Sequence, residues 1–236
     1  MRMIFPRPAA LALLLCPLGL LFSGCSRSTT IAGHEFYLGG SPAEFEPQNF
    51  HQTTPWLPPD LRRVAVLPLT TFDGETLADS TREQLEQLLP VELLRTELFE
   101  VVRVTPEQLR RWTGRSRWSV TDSLPPEFFK RVKEQLGCHG VIFAHLTACR
   151  SYPPLAMGWK LHLVDTREQQ VWWTCDLLYD AGNQSVAHSA VLYERAQQAS
   201  RLPAADPATI LRSPGRFGQY SLAASLETLQ RHEKNN

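Results

Sequence analysis

Short apolar runs alternate along this chain with longer stretches in which leucines recur at helical spacing. Val64-Ala65-Val66-Leu67 is an apolar run closed by Pro68, the pattern of a strand buried on both faces. From about Leu77 to Leu98, the stripe Leu85, Leu88, Leu89 and Leu94 predicts a helix. Pro90 lies inside it, where proline removes a hydrogen bond and clashes with the preceding turn, so a kink or two short helices are expected. Phe99–Val104 ("FEVVRV") predicts a second strand. Thr105 then stands as a helix cap, Pro106 at the first helical position and Gln108 as the partner that completes a capping box. Residues 115–123 are polar and predict a loop. Residues 125–137 ("PPEFFKRVKEQLG") predict a helix with Phe128, Phe129, Val132 and Leu136 on one face and Gly137 as its left-handed terminator. Three strands follow, Val141–Ala148, Met157–Asp165 and Val171–Leu178. Two helices, Ser185–Ala199 and Phe217–Arg231, close the chain around a proline-containing loop.

The three strands carry enough alternation to predict their register. Met157, Trp159, Leu161 and Leu163 alternate with Gly158, Lys160 and His162. A slip of one residue would move every side chain to the other face. Keeping apolar opposite apolar pairs Leu163 with Trp173, Leu161 with Cys175 and Trp159 with Leu177. The other face then sets Lys160 opposite Asp176 and His162 opposite Thr174. On the first hairpin the same logic pairs Leu146 with Trp159, Ala144 with Leu161, and His145 with Lys160.

The amino terminus has a different pattern. Ala9–Phe22 is an apolar run of 14 residues containing Pro17. That is short of the roughly 20 residues needed to span a bilayer. Arg2 and Arg7 precede it, and Ser23 and Gly24 follow, as in a secretory signal. The five residues Leu21-Phe22-Ser23-Gly24-Cys25 resemble the bacterial lipoprotein processing box. The resemblance implies that residues 1–24 are removed and that Cys25 is acylated as the new amino terminus. A plain secreted protein cleaved nearby is the other reading. Each buried methylene contributes about 0.8 kcal/mol, and two or more acyl chains anchor stably. Ser26 follows Cys25 in place of the aspartate that resembles an inner-membrane retention signal, so the periplasmic face of the outer membrane is the expected location. Residues 26–60 hold five prolines and no sustained period, the composition of a semi-rigid tether. Phe36, Tyr37, Phe45, Phe50 and Trp56 give parts of it the means to pack on the domain instead. The organisation expected is a signal (1–24), a lipidated cysteine with a Pro-rich tether (25–60), and one α/β domain with carboxy-terminal helices (61–236).

Removal of the signal leaves 212 residues, enough for one core, with a net charge of −2. No basic patch points to nucleic acid. Cys138, Cys149 and Cys175 remain, an odd number for an oxidising compartment. The predicted register puts Cys149 and Cys175 on strands two apart, at least ~9 Å between Cα atoms, beyond the ~7 Å limit for a disulfide. Cys138 sits at the far end of its strand, so three thiols, mostly buried, are expected.

The chain has no GxSxG elbow, P-loop, HExxH or paired CxxC, so neither an enzyme nor a bound cofactor is expected. His145, Lys160, His162 and Asp176 form a polar row on one sheet face, a candidate surface site. A metal wants several His, Cys or carboxylate groups at one point, and a lysine in the middle of the row argues against one. Cys138-His139 between two glycines reads as the start of a strand rather than a reactive thiol. Of Trp172 and Trp173, one must face each way.

The phrases "RRVAVLPL" (62–69), "ELFEVVRV" (97–104) and "GCHGVIFAHLTACRSYPPLAMGWKLHLVDTREQQVWW" (137–173) sit at the joints of a strand–helix–strand–helix–meander–helix order. Over residues 61–180 the chain resembles the TolB amino-terminal-domain-like group of envelope proteins, which includes curli-secretion lipoproteins and lipoprotein activators of penicillin-binding proteins. The resemblance implies an α/β fold, with a mixed sheet and a three-strand antiparallel meander packed by helices. It also implies a non-catalytic envelope role. Transmembrane strands need 9–11 alternating residues with a lipid-facing band, and no unclaimed pair of such segments remains, so a pore is not expected. The expected function is a lipid-anchored periplasmic protein that binds envelope proteins and supports assembly or regulation of an envelope complex, with oligomerisation left open. The alternatives are an activator of a peptidoglycan synthase, and a small-ligand or metal-binding periplasmic protein using the His145–Lys160–Asp176 face.

Overall fold

The computed structural model describes residues 28–31, 34–37, 42–71, 79–199 and 205–234. The signal and Cys25 lie outside the described residues. Strands β1 (Ser28–Ile31) and β2 (His34–Tyr37) pair antiparallel in a first unit, Met1–Gly40. All other elements belong to a second unit, Ser41–Asn236.

In chain order the second unit holds β3 (Phe50–Gln52), β4 (Arg63–Val66), β5 (Thr70–Thr71), α1 (Asp79–Arg95), β6 (Glu100–Arg103), α2 (Pro106–Thr113), α3 (Phe128–Leu136), β7 (Gly140–Arg150), β8 (Ala156–Asp165) and β9 (Val171–Asp180). It ends with α4 (Gln184–Gln198), a 3-10 turn at Pro207–Arg212 and α5 (Pro214–Lys234). The sheet has seven strands, ordered β3-β9-β8-β7-β4-β6, with β5 beside β7. β4 runs parallel to β6 and β7, while β7, β8 and β9 form an antiparallel meander. The fold is therefore α/β, with a mixed sheet packed by helices.

The meander register is the one the alternation dictates. Leu163 faces Trp173, Leu161 faces Cys175, Trp159 faces Leu177, Lys160 faces Asp176 and His162 faces Thr174. On the other side Leu146 faces Trp159, Ala144 faces Leu161 and His145 faces Lys160. Beyond Leu146 the pairing shifts at Thr147, a bulge that alternation does not reveal. Gly158 lies opposite it. A Cβ there would stand 2.4 Å from Thr147 Oγ1 and 3.0 Å from the Ala148 nitrogen, so the bulge requires glycine at 158.

One face of the sheet carries the larger core. Ile142, Ala144, Leu146, Trp159, Leu161, Leu163, Trp173, Leu177 and Tyr179 are buried there with leucines of α1, α4 side chains and α5. The three largest of these rings bring polar atoms into the interior, and α5 meets each with a hydroxyl. Trp159 Nε1 donates to Ser221 Oγ at 2.7 Å, and Trp173 Nε1 to Thr228 Oγ1 at 3.0 Å. The Tyr179 hydroxyl lies 3.1 Å from Ser225 Oγ. Ser225 spends its own proton on the Ser221 carbonyl at 2.8 Å, so Tyr179 is the donor. Ser221 and Thr228 likewise donate back to carbonyls of their own helix. Positions 221, 225 and 228 are four and three apart, which puts all three hydroxyls on one helix face.

α1 is one helix through Pro90, where the sequence led us to expect a kink or a break. Proline in a helix interior costs about 3 kcal/mol. Burying Leu85, Leu89 and Leu93 returns ~1.5–3 kcal/mol each, and packing wins. The buried stripe is Leu85, Leu89 and Leu93, with Leu88 half-buried. Leu94, expected on that stripe, is 56% exposed, because it lies one residue round from Leu93. α1 and α5 approach closely, and a Cβ on Gly218 would stand 2.8 Å from Leu85 Cδ2. Between them the Glu92 carboxylate is buried and accepts from Arg95 and Gln219, each at 2.9 Å.

Within the Pro-rich segment, residues 42–60 belong to the second unit and pack on the domain. Phe45 sets its ring 5.2 Å from Tyr179 and donates its backbone N–H to Ser189 Oγ on α4 at 2.8 Å. Phe50–Gln52 then adds to the sheet as β3, antiparallel to β9. Two of the aromatics that the sequence made available for packing are used here.

Cys138 and Cys175 are buried free thiols, and Cys149, half-buried on β7, is bonded to neither. After unfolding, and with no reductant added, alkylation should label Cys138, Cys149 and Cys175, as read by mass spectrometry of peptides. Fewer than three labelled positions would contradict the register. The α5 hydroxyls give a second expectation. Ser225→Ala strands the buried Tyr179 hydroxyl and should cost about 1–3 kcal/mol in urea unfolding. Adding Tyr179→Phe should recover most of that loss. Additive losses in this double-mutant cycle would mean the two groups do not act as a pair.

Candidate functional site

The other face of the sheet is covered over part of its length. There α2 and α3 bury Leu109, Phe128, Phe129 and Val132 against Val141, Phe143 and Val164. Both helices are well delimited. Thr105 and Gln108 form the expected reciprocal capping box at the start of α2. Gly137 ends α3 at φ 64°, the left-handed conformation glycine adopts without strain. Phe128 stacks on Phe143 with ring centroids 6.0 Å apart.

Between α2 and α3 the chain makes a turn over the sheet. Trp118 anchors it, donating Nε1–H to Thr113 Oγ1 at 2.7 Å beneath the Arg115 guanidinium, which lies 4.3 Å from its ring. Ser119 N–H donates to Asp122 Oδ2 at 2.9 Å, and the Ser119 and Thr121 hydroxyls share a bond at 3.0 Å. Arg117 ties the turn to the rest of the domain, donating Nε–H to the Leu69 carbonyl at 3.0 Å and lying 3.4 Å from Glu86 on α1.

Past this turn the helices stop and the strands run on. The step encloses a cleft of about 220 Å³. Ser119, Val120 and Thr121 form one wall, and His145, Lys160, His162 and Asp176 line it from the sheet. All four residues of the predicted polar row are thus brought together. Lys160 Nζ lies 3.5 Å from Asp176 Oδ2, with both side chains partly exposed. Such a pair is worth ~1 kcal/mol or less. His145 Nδ1 is 2.9 Å from Thr70 Oγ1. Thr70 gives its only hydroxyl proton to the Ala144 carbonyl at 3.0 Å, so His145 Nδ1 carries a proton and donates to Thr70.

His162 differs from its neighbours. Both its ring nitrogens are buried without a hydrogen-bond partner. Burial lowers its pKa below the ordinary imidazole value, the nearby Lys160 charge lowers it further, and Asp176 opposes both. The ring is therefore neutral at pH 7. Among the described residues no three His, Cys, Asp or Glu side chains converge as metal ligands do. Cys138, two residues before β7, is buried, and burial pushes its thiol up to about 11, so it is no thiolate at neutral pH. Trp173 is buried on the core face, and half-buried Trp172 packs against that same core. The β8–β9 pairing shifts between Leu163 and Val164, which breaks the alternation that would have turned the two tryptophans opposite ways.

The row was visible in the sequence, but its surroundings were not. Thr70, Ser119 and Thr121 come from segments without periodicity, and only the polar character of 115–123 marked a loop there.

No protein-family model matches the chain, and no curated protein is similar to it. Among solved structures it is similar to the PelC dodecamer from Paraburkholderia phytofirmans, at 14% identity and a TM-score of 0.44 over 77% of this chain and 96% of that one. It is similar to lipoprotein GNA1162 from Neisseria meningitidis, at 13% identity and a TM-score of 0.40 over 59% and 98%. TolB from Acinetobacter baumannii matches at 12% identity and a TM-score of 0.25 over 65% and 31%. The structural neighbours thus include a bacterial lipoprotein and TolB itself. At these scores such likenesses say nothing of function, and the α/β class stands on this chain's own sheet order.

His162 makes a pH dependence expected. Its pKa is depressed on folding, so below the unfolded value of about 6.5 the unfolded chain binds more protons and stability falls. In urea titrations from pH 7 to 5, His162→Gln should lose less stability than wild type. Equal slopes would mean that the ring titrates alike in both states.

Proposed function

We propose that the protein is anchored by lipid on Cys25 to the periplasmic face of the outer membrane, and that it binds other envelope proteins without catalysing a reaction. The observation that carries this reading is the run from Ala9 to Cys25, a short apolar segment ending in a lipoprotein-like box. No described helix is long and apolar enough to cross a membrane. The described domain supports a binding role. In the cleft, Lys160 and Asp176 offset each other's charge and His145 is held by Thr70. At the tip of the meander, Tyr152 and Leu178 are 68% and 57% exposed. Leu178 lies opposite Gly158, a residue without a side chain, on the face that α2 and α3 leave open. These exposed apolar groups give a partner something to bury. A regulatory role toward a peptidoglycan synthase is one form this function could take.

The first test compares full-length wild type with Cys25→Ala in a bacterium with two membranes, by detergent partitioning, fractionation and crosslinked pull-down. Wild type should fractionate with the outer membrane and Cys25→Ala should be released. Identical behaviour would remove the anchor. Leu178→Asp should keep the anchor and the melting temperature but lose the crosslinked partner. Retention of every crosslink would take the meander tip out of the interface.

A further inference from the structure

The cleft beneath the Ser119–Thr121 turn has a chemistry that the anchor and the partner surface do not use. Its volume of about 220 Å³ is less than the ~300 Å³ at which pockets for drug-sized molecules begin. Among its described lining residues the formal charges are Lys160 and Asp176, 3.5 Å apart and cancelling. An entering carboxylate would meet Asp176, and an entering ammonium would meet Lys160. Either ion would have to displace one member of an existing pair.

Hydrogen-bonding capacity of both senses remains. An ammonium has three donors, and the Lys160 group commits one direction to Asp176. The carboxylate of Asp176 has about four acceptor positions. Ser119 and Thr121 share one bond, which leaves one hydroxyl proton and several lone pairs between them. Neutral His162 holds one N–H and one lone pair beneath the cleft surface, both without partners, each a group that is costly to leave unmade. Val120 and Phe143 supply apolar walls.

The geometry points to a binding site for a small uncharged polyol, a single ring or short chain whose hydroxyls each donate and accept. Such a ligand satisfies Lys160 and Asp176 in turn without separating them, and lays its C–H face on Val120 and Phe143. The site does not depend on the membrane anchor.

Saturation-transfer NMR on the full-length protein tests this, with methyl β-D-glucopyranoside as probe and acetate and methylammonium in parallel. The glucoside should saturate by roughly 10 mM, where even a millimolar ligand is mostly bound. The double variant Lys160→Met/Asp176→Leu removes both charges together and leaves neither unpaired. It should melt as wild type does and bind about tenfold more weakly, the worth of one charged hydrogen bond. If that variant does not fold, Thr121→Val, at the rim of the cleft, takes its place with the same expected direction. Saturable binding of acetate or methylammonium in place of the glucoside would overturn the assignment to an uncharged ligand. Absence of saturation by the glucoside, or binding unchanged in the variant, would overturn the site.

Discussion

Three buried polar atoms on aromatic side chains, each facing a hydroxyl on α5, decide how the inner layer is built. Trp159, Trp173 and Tyr179 each bury a large apolar area, and each carries one polar atom that burial would leave unpaired. Ser221, Ser225 and Thr228 reach only a short way from their helix. The rings are satisfied only if α5 lies across β8 and β9 at one height and one rotation. Once α5 is set, α1 follows. It approaches closely at Gly218, and the Glu92 carboxylate finds its partner in Gln219. Apolar packing supplies most of the energy of this layer. The hydroxyls select one arrangement among the many that apolar packing alone would tolerate.

The opposite face is organised by where its cover ends. α2 and α3 seal Val141, Phe143 and Val164, and beyond them the strands run on uncovered. Pleat alternation then dictates what stands at the boundary. With Leu161 and Leu163 on the core side, Lys160 and His162 must emerge on the other, beside Asp176 and His145. The cleft thus follows from the register of the meander together with the length of α3. The bulge at Thr147 and the bare backbone of Gly158 are one feature, since a side chain at 158 would run into Thr147 and the Ala148 backbone.

The meander was legible in the sequence because period two with one apolar face admits a single register. The α2 cap and the Gly137 stop were legible because their chemistry is local. Other features needed the tertiary structure. The serines and threonine of α5 look like ordinary polar positions until the ring opposite each is known. Pro90 announces a break that three buried leucines overrule. Residues 42–52 lack any period, yet Phe45 and Phe50 find places on a sheet whose edge is assembled from residues more than a hundred positions away. For the site, the polar row could be read from strand alternation, while the turn that closes the cleft could not. That turn is held by Trp118, Arg117 and Asp122 through contacts no periodicity encodes.

Phe45 also has a mechanical meaning. Any pull reaching this unit from the amino-terminal side travels along the chain and arrives first at Phe45, which is fastened to β9 through Tyr179 and to α4 through Ser189. Only after that fastening yields would load pass to β3, a strand of three residues on the sheet edge. The segment can therefore give way in stages, ring first and strand second, while the layer of α1, α5 and the meander stays loaded only at its rim. A domain built this way would absorb tugging at its leading end as a short lengthening of chain, with its folded interior left intact.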